Sequence, residues 1–447
     1  MRNQVLIIGG GLSGLSAAIH AIGHGIKPVI LEKNRHLGGR VRSLFSADIE
    51  TIIDNGQHVL SAAYHETKNL LIKIGSIDQI YFQKNFEAAF ARGINSQIYF
   101  RTVPLPSPWN FFVPLLKHRR FTGIPFRDFI HFVQKTRNPD SVLLEKMSVA
   151  EWLDYCSQGS AIRKLLWHPL CYSILNTPPQ QGSAFLLFRA ISASFLGPSS
   201  QSGLGIPLNW LSEIFAGPAQ KYIEKFGGEI HHFTAVKRIK VEGSKIQKIV
   251  TNKSEFAAPH VIMAIPPFSL LALLENSPVN ILNDIRQWMN QLKYHPIMTI
   301  NFYLKEELPF QFPLLLISSP FHWIFPHPKM EQETKLAGYA AVISAAHYYN
   351  DYSRDEMINL LASELSKLSG ANHEIVKFKI VTEKRATVSQ DTVFLKKRPA
   401  FETEIENLFL AGDWVNTGLP ATIEGAVLSG KLAVEAMLRK SSISGSI

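Results

Sequence analysis

No other six residues restrict the folding of this chain as much as Gly9-Gly10-Gly11-Leu12-Ser13-Gly14. Before them, residues 4–8 (Gln-Val-Leu-Ile-Ile) form an apolar run that reads as a buried parallel strand. After them, residues 12–24 place Leu12, Leu15, Ile19 and Ile22 on one helical face, and residues 28–32 read as a second strand. Strand, glycine turn, helix and strand make a βαβ unit, the setting in which this glycine spacing carries chemistry. Gly9 permits the tight turn, Gly11 lets the backbone approach a pyrophosphate, and Gly14 lets the helix pack close to the sheet. The unpaired amides at the helix start, around Leu12 and Ser13, offer partial positive charge to phosphates. Glu32, with Lys33 beside it, ends the second strand where a carboxylate can accept both ribose hydroxyls. A surface ion pair is the plainer role for Glu32. A carboxylate at this place disfavours a 2′-phosphate and therefore NADP.

Two further glycine features lie elsewhere. Leu37-Gly38-Gly39-Arg40 follows the second strand, and Leu410-Ala411-Gly412-Asp413 comes near the C-terminus, ahead of Thr422-Ile423-Glu424-Gly425-Ala426. Together with the first motif they resemble the flavin amine oxidase and phytoene desaturase superfamily. The resemblance implies FAD. It places Arg40 on phosphate oxygens through charge-assisted bonds, Asp413 on the ribitol or pyrophosphate, and the Val236 backbone on the adenine. It also turns the amides of a helix opening at Thr422 and Ile423 toward the flavin O2 and N1, where a helix dipole stabilises the anionic reduced ring. The plainer reading of Gly38-Gly39-Arg40 is a turn with a solvated arginine. Neither cysteine, Cys156 or Cys171, is near these motifs, so the flavin is expected to be non-covalent.

The expected fold is α/β: a discontinuous Rossmann-type FAD-binding domain with an inserted α+β substrate domain. Residues 109–225 read as helix-rich, β signals appear at 235–241, 245–251 and 261–264, and alternating segments between 295 and 395 read as a mixed or antiparallel sheet. Residues 408–411 read as a short buried strand and 422–438 as a closing helix. These signals assign 1–65, 226–275 and 400–440 to the FAD-binding domain and 66–225 and 276–399 to the substrate domain, with a polar tail at 441–447.

At 447 residues, two domains are the expectation. Two cysteines cannot supply a disulfide framework, which points to a reducing compartment. Residues 1–4 lead straight into a strand without the order of a secretory leader, and Leu308–Pro328 is broken by prolines. A cytoplasmic protein is expected, on the inner face of the cytoplasmic membrane if it touches one. The net charge is +10, but the basic residues are scattered and no nucleic-acid motif accompanies them. One cluster, Lys117-His118-Arg119-Arg120, is flanked by Phe111, Phe112, Val113, Leu115, Leu116 and Phe121. It suits an anionic bilayer surface, or equally the end of an amphipathic helix packed on the core.

Three longer runs resemble one branch of the superfamily. They are Asp54-Asn55-Gly56-Gln57-His58-Val59-Leu60, the stretch Pro169-Leu170-Cys171 to Leu175-Asn176-Thr177-Pro178-Pro179, and the stretch Gly412-Asp413-Trp414 to Ala426. The branch is that of the squalene-associated FAD-dependent desaturases, the hydroxysqualene dehydroxylases of bacterial hopanoid synthesis. It implies reductive loss of a hydroxyl from an apolar C30 isoprenoid, an external reductant for FAD, and partner enzymes that make hydroxysqualene. His58 is the candidate to protonate or orient the hydroxyl, with Asp54 or Gln57 assisting; Asn55 and Gly56 are assigned to the flavin. Alternatively, Asp54 to His58 only shapes a turn. His168 and Cys171 lack a third ligand, so no metal site is expected. The rival readings are a carotenoid-type desaturase or isomerase, a flavin amine oxidase, and a non-catalytic flavoprotein that carries prenyl lipids. Amine oxidases resemble one another in a lysine near the flavin, where Thr299 stands here.

Overall fold

The computed structural model describes residues 3–94, 96–195, 197–277, 282–328 and 336–444. Strand β1 (Gln4–Ile8), helix α1 (Leu12–Gly23) and strand β2 (Lys27–Leu31) form the N-terminal βαβ unit. The hairpin β3 (Ser43–Ser46) and β4 (Thr51–Asp54) follows, then α2 (His65–Ile74). The helical stretch includes α3 (Trp109–Lys117), α4 (Phe126–Thr136), α5 (His168–Leu175) and α6 (Gly217–Lys225). Later come β5 (Glu229–His231), β6 (His260–Met263), β7 (Tyr294–Leu304), β8 (Ala337–Ser344), β9 (Ile375–Val388), β10 (Leu408–Leu410) and α7 (Ile423–Ser444).

The first layer is an all-parallel sheet in the order β5-β2-β1-β6-β10. Its strands are apolar throughout because both faces are covered. Val5, Ile7 and Ile30 pack with α1 and α7, while Leu6, Ile8 and Leu31 join the larger core. Helix α7 crosses α1 at close range: a Cβ on Gly430 would lie 2.2 Å from the Ser13 carbonyl oxygen. The fold is α/β, and strands from three separated stretches of chain share this sheet. Helices α2 and α6 were expected in the inserted part. Instead Leu70, Leu71, Ala219 and Ile223 bury in the cluster around α1, because each helix has one apolar face that fits this layer. The expected polar tail also begins late, since Ser441 to Ser444 continue α7; residues 445–447 lie outside the described residues.

The second layer is a seven-stranded mixed sheet that includes β9, β7 and β8 as neighbours. Its side chains alternate with a period of two. Met298, Ile300 and Phe302 bury against the helix Arg354–Ser369. Thr299, Asn301 and Tyr303 face the other way, and Tyr303 packs with Ile49 and Ile53 of the β3–β4 hairpin. The helical stretch supplies an aromatic core, with Phe112–Phe129 at 4.6 Å and Phe132 stacked on Trp167 at 4.7 Å. Phe111, Phe112 and Leu115 therefore point inward, as the alternative of a helix end packed on the core requires. No helix among the described residues is long and apolar enough to cross a membrane.

Candidate functional site

The three glycine features meet although the chain separates them. Gly38 N–H donates to Gly10 O at 2.8 Å, and Gly11 bridges Gly38. Gly9 has φ +103°, and a Cβ on Gly14 would stand 2.0 Å from the Gly9 carbonyl oxygen. Packing within the protein explains both glycines. Gly11 differs: its φ is an ordinary −74°, and an added Cβ would meet nothing nearer than the Gly39 Cα at 4.0 Å. Only something from outside the chain, coming close to this backbone, gives a reason for glycine there. A pyrophosphate at the start of α1 fits, since Leu12 and Ser13 are buried at that end and no side chain caps the helix.

Glu32 is buried at the end of β2. Its Oε2 accepts from Gly10 N–H and its Oε1 from Asn34 N–H, both at 2.8 Å. Each oxygen keeps acceptor capacity for a ribose hydroxyl. Lys33 is exposed. Thr234 N–H donates to Glu32 O, which brings Val236, at the start of the following strand, to the same end of the sheet.

Arg40 Nη2 donates to Asp413 Oδ2 at 2.8 Å, and its Nη1 to the Ala386 carbonyl at 2.6 Å. Burial works against the Arg40 charge, but the charge and hydrogen bond of Asp413 outweigh it and raise its pKa. Arg40 therefore clamps the loop of Asp413, and its remaining N–H groups are what it can offer a phosphate. Gly412 N–H donates to Ser429 Oγ. Thr422 Oγ1 accepts from Gly425 N–H at 3.3 Å, at the start of α7, with Ile423 the first helical residue. Glu424 faces elsewhere: its carboxylate accepts from the Glu66 and Thr67 amides and caps α2.

The loop after β4 holds the candidate chemistry. Asn55 N–H donates to Arg42 O, and its Nδ2 approaches Glu383 at 3.4 Å. Asp54 is not joined to His58: its Oδ1 accepts from Ser43 Oγ and Leu211 N–H, its Oδ2 has no partner among the described residues, and burial pushes its pKa up to about 6. Gln57 has no hydrogen bond to a described residue. His58 Nδ1 lies 2.7 Å from the Gly56 carbonyl, so this nitrogen carries the proton and Nε2 presents its lone pair. Burial first, and then the Arg40 charge, lower the His58 pKa.

Sequence reasoning missed Arg398 and Gln390 here, and pointed to Thr299 only through the likeness to amine oxidases. Thr299 Oγ1 is buried without a partner, and beyond the chain neighbours of Gly56 it shares the space in front of that glycine with His58 Cε1, at 3.8 and 3.9 Å from a built Cβ. Its strand faces Gly56, at the position the resemblance to amine oxidases marked. Arg398 sits in the run Lys396-Lys397-Arg398, which reads as solvated surface, yet it is buried and donates to the carbonyls of Asp413, Trp414, Val415 and Leu419. Gln390 donates to Leu175 O and accepts from Ala421 N–H, tying the Asn176 corner to the loop before α7.

Comparison with known proteins agrees with this geometry. The family model described as flavin containing amine oxidoreductase matches residues 12–438. The chain belongs to that family. FAD is its cofactor. Hydroxysqualene dehydroxylase of Zymomonas mobilis is 28% identical over 442 residues, covering 97% of this chain and 99% of that protein. The same-named protein of Sinorhizobium fredii is 26% identical, covering 98% and 99%. The 15-cis-phytoene desaturase of Glycine max is 24% identical, covering 98% of this chain and 80% of that protein. Among solved structures, an oxidoreductase from Methanosarcina mazei superposes with a TM-score of 0.74 at 16% identity, covering 98% of this chain and 100% of that one. A redesigned putrescine oxidase gives 0.71 at 15% identity, covering 98% and 99%. These two support the fold alone.

Proposed function

We propose that this oxidoreductase removes the allylic hydroxyl of hydroxysqualene and delivers squalene. The observation that carries the reading is the space before Gly56. Among the described residues, and apart from the neighbours of Gly56 in the chain, the His58 imidazole and the Thr299 hydroxyl are all that come within 4 Å of a Cβ built there. Such a place suits one alcohol on a hydrocarbon better than a charged amine. Similarity to hydroxysqualene dehydroxylases along nearly the whole chain supports the same substrate.

The reaction breaks the C–O bond, releases water and forms a C–H bond, consuming one proton and one hydride. Reduced FAD supplies the hydride, and an external two-electron donor must restore it. In this reading Gly11, Leu12, Ser13, Glu32, Gly38, Gly39 and Asp413 bind FAD, with Arg40 fixing Asp413, and Val236, Asn55, Gly56, Thr422 and Ile423 border it. His58 Nε2 accepts from the substrate hydroxyl and orients it, while Thr299 Oγ1 donates to its oxygen. Asp54 shapes the loop rather than touching substrate. The aromatic lobe holds the chain of the substrate, whose burial contributes about 0.8 kcal/mol per methylene-sized group.

The second reading, a carotenoid-type desaturase, is favoured by the similarity to phytoene desaturases. Incubating the holoprotein separately with hydroxysqualene plus reductant and with phytoene plus an oxidant, then analysing the lipids, separates the two. Squalene from the first mixture and no product from the second is the expected result; the reverse sinks the proposal. His58→Ala is expected to bind FAD normally and lose turnover at least a hundredfold.

A further inference from the structure

Helices α3 and α4 are apolar on two sides. Inward, Phe111 and Phe112 of α3 and Phe132 of α4 line a small, nearly closed apolar cavity with Trp167, Leu170 and Phe195. Outward, Trp109 and Val113 of α3 and Phe126 and Ile130 of α4 are each between 37 and 51% exposed. Each outer pair is spaced i, i+4, so it forms a continuous stripe on its helix. Large apolar side chains repeated in this way, next to a cavity, are more than the scattered exposure any surface shows.

The charges around them have one sign. Residues 105–130 contain Lys117, Arg119, Arg120 and Arg127, against a single acid, Asp128. That acid is buried, and its Oδ2 accepts from Gly159 N–H. Lys117, Arg119, Arg120 and Arg127 are all exposed. Among the described residues no ion pair occupies Lys117, Arg119 or Arg120, and Arg127 approaches Asp128 only at 3.9 Å. We infer that the outer faces of α3 and α4 dock on an anionic lipid bilayer, which opens the aromatic cavity behind them to apolar substrate from the membrane. The apolar stripes enter the interfacial zone and the four cations meet lipid phosphates. Docking itself does not depend on the proposed function; only the passage of substrate rests on that reading.

The test is sedimentation of the FAD-loaded full chain with phosphatidylglycerol vesicles and with neutral phosphatidylcholine vesicles. The chain pellets with the anionic vesicles, and added salt releases it. Arg119→Gln with Arg120→Gln weakens binding about fivefold per cation removed. Trp109→Ser with Phe126→Ser abolishes pelleting, keeps the flavin spectrum, and leaves turnover of detergent-dispersed substrate unchanged. A chain that stays in the supernatant with anionic vesicles overturns the inference, as does a Trp109/Phe126 variant that pellets like the parent. Self-association through this face without vesicle binding also overturns it. Loss of turnover with normal vesicle binding counts against the proposed reaction alone.

Discussion

Arg40 Nη2 and Asp413 Oδ2 stand 2.8 Å apart across 373 residues of chain. The pair joins the second glycine feature to the C-terminal one, so it both folds and shapes the cofactor cradle. Arg40→Met leaves Asp413 buried without its cation. The expected loss is about 2 kcal/mol, below the cost of breaking a fully buried pair because the guanidinium keeps solvent contact. FAD affinity falls at least tenfold. Chemical denaturation of the apoprotein and FAD titration measure the two effects separately.

Gly11 and Gly14 should respond in opposite ways to a single methyl group. Gly11→Ala places Cβ in open space, so apoprotein stability stays within about 0.5 kcal/mol while FAD occupancy drops. Gly14→Ala drives Cβ into the Gly9 carbonyl oxygen, 2.0 Å away, and the chain loses several kcal/mol or fails to fold. Melting curves of both apoproteins, with and without added FAD, check this contrast. Equal destabilisation in both would contradict it.

Asp54 carries a pH signature. Burial moves its carboxyl from an ordinary 3.8 up to about 6. Between these values the folded chain holds a proton that the unfolded chain has lost. Stability from this group is therefore complete below pH 4, falls as pH rises, and is gone above pH 6, a change of about 3 kcal/mol. Asp54→Asn keeps an acceptor for Ser43 and removes the charge. It should match the parent near pH 4 and exceed it by about 2 kcal/mol at pH 7.5.

Asn176 holds the corner between the helical lobe and the second sheet. Its Nδ2 donates to His295 O and Thr387 Oγ1, and its Oδ1 accepts from Ala345 N–H. Its backbone is left-handed at φ 47°. Asn176→Ala gives up three buried bonds and strains the backbone, for a loss of about 3–4 kcal/mol. Asn176→Gly removes the strain but not the loss of bonds, so it should fall between the two in a denaturant midpoint.

What the sequence made legible was local. The βαβ unit is written in contiguous residues, and Gly9 to Gly14 with Glu32 fix its position almost to the residue. The strands 245–251 and 408–410 likewise follow from short apolar runs. Long-range partners were not legible. Nothing near Arg40 names Asp413, and nothing in Lys396-Lys397-Arg398 tells that its last member turns inward to four carbonyls. Glu424 belongs to a motif read as facing the flavin, yet its carboxylate caps a helix 357 residues away in sequence at Thr67. The basic cluster shows the same limit: its neighbours Phe111 and Phe112 are inward, and the exposed apolar residues are Trp109, Val113, Phe126 and Ile130. Helical phase decides such facing, and it could not be fixed across the proline-broken run from Leu105 to Pro125.

The central claim is the direction of the reaction. The measurement that tests it most directly is an anaerobic single turnover: the dithionite-reduced protein is mixed with hydroxysqualene, flavin absorbance is followed, and the lipid is extracted. The account predicts flavin reoxidation with one squalene formed for each flavin oxidised. Flavin that stays reduced with hydroxysqualene, but is bleached from its oxidised form by phytoene, would contradict it.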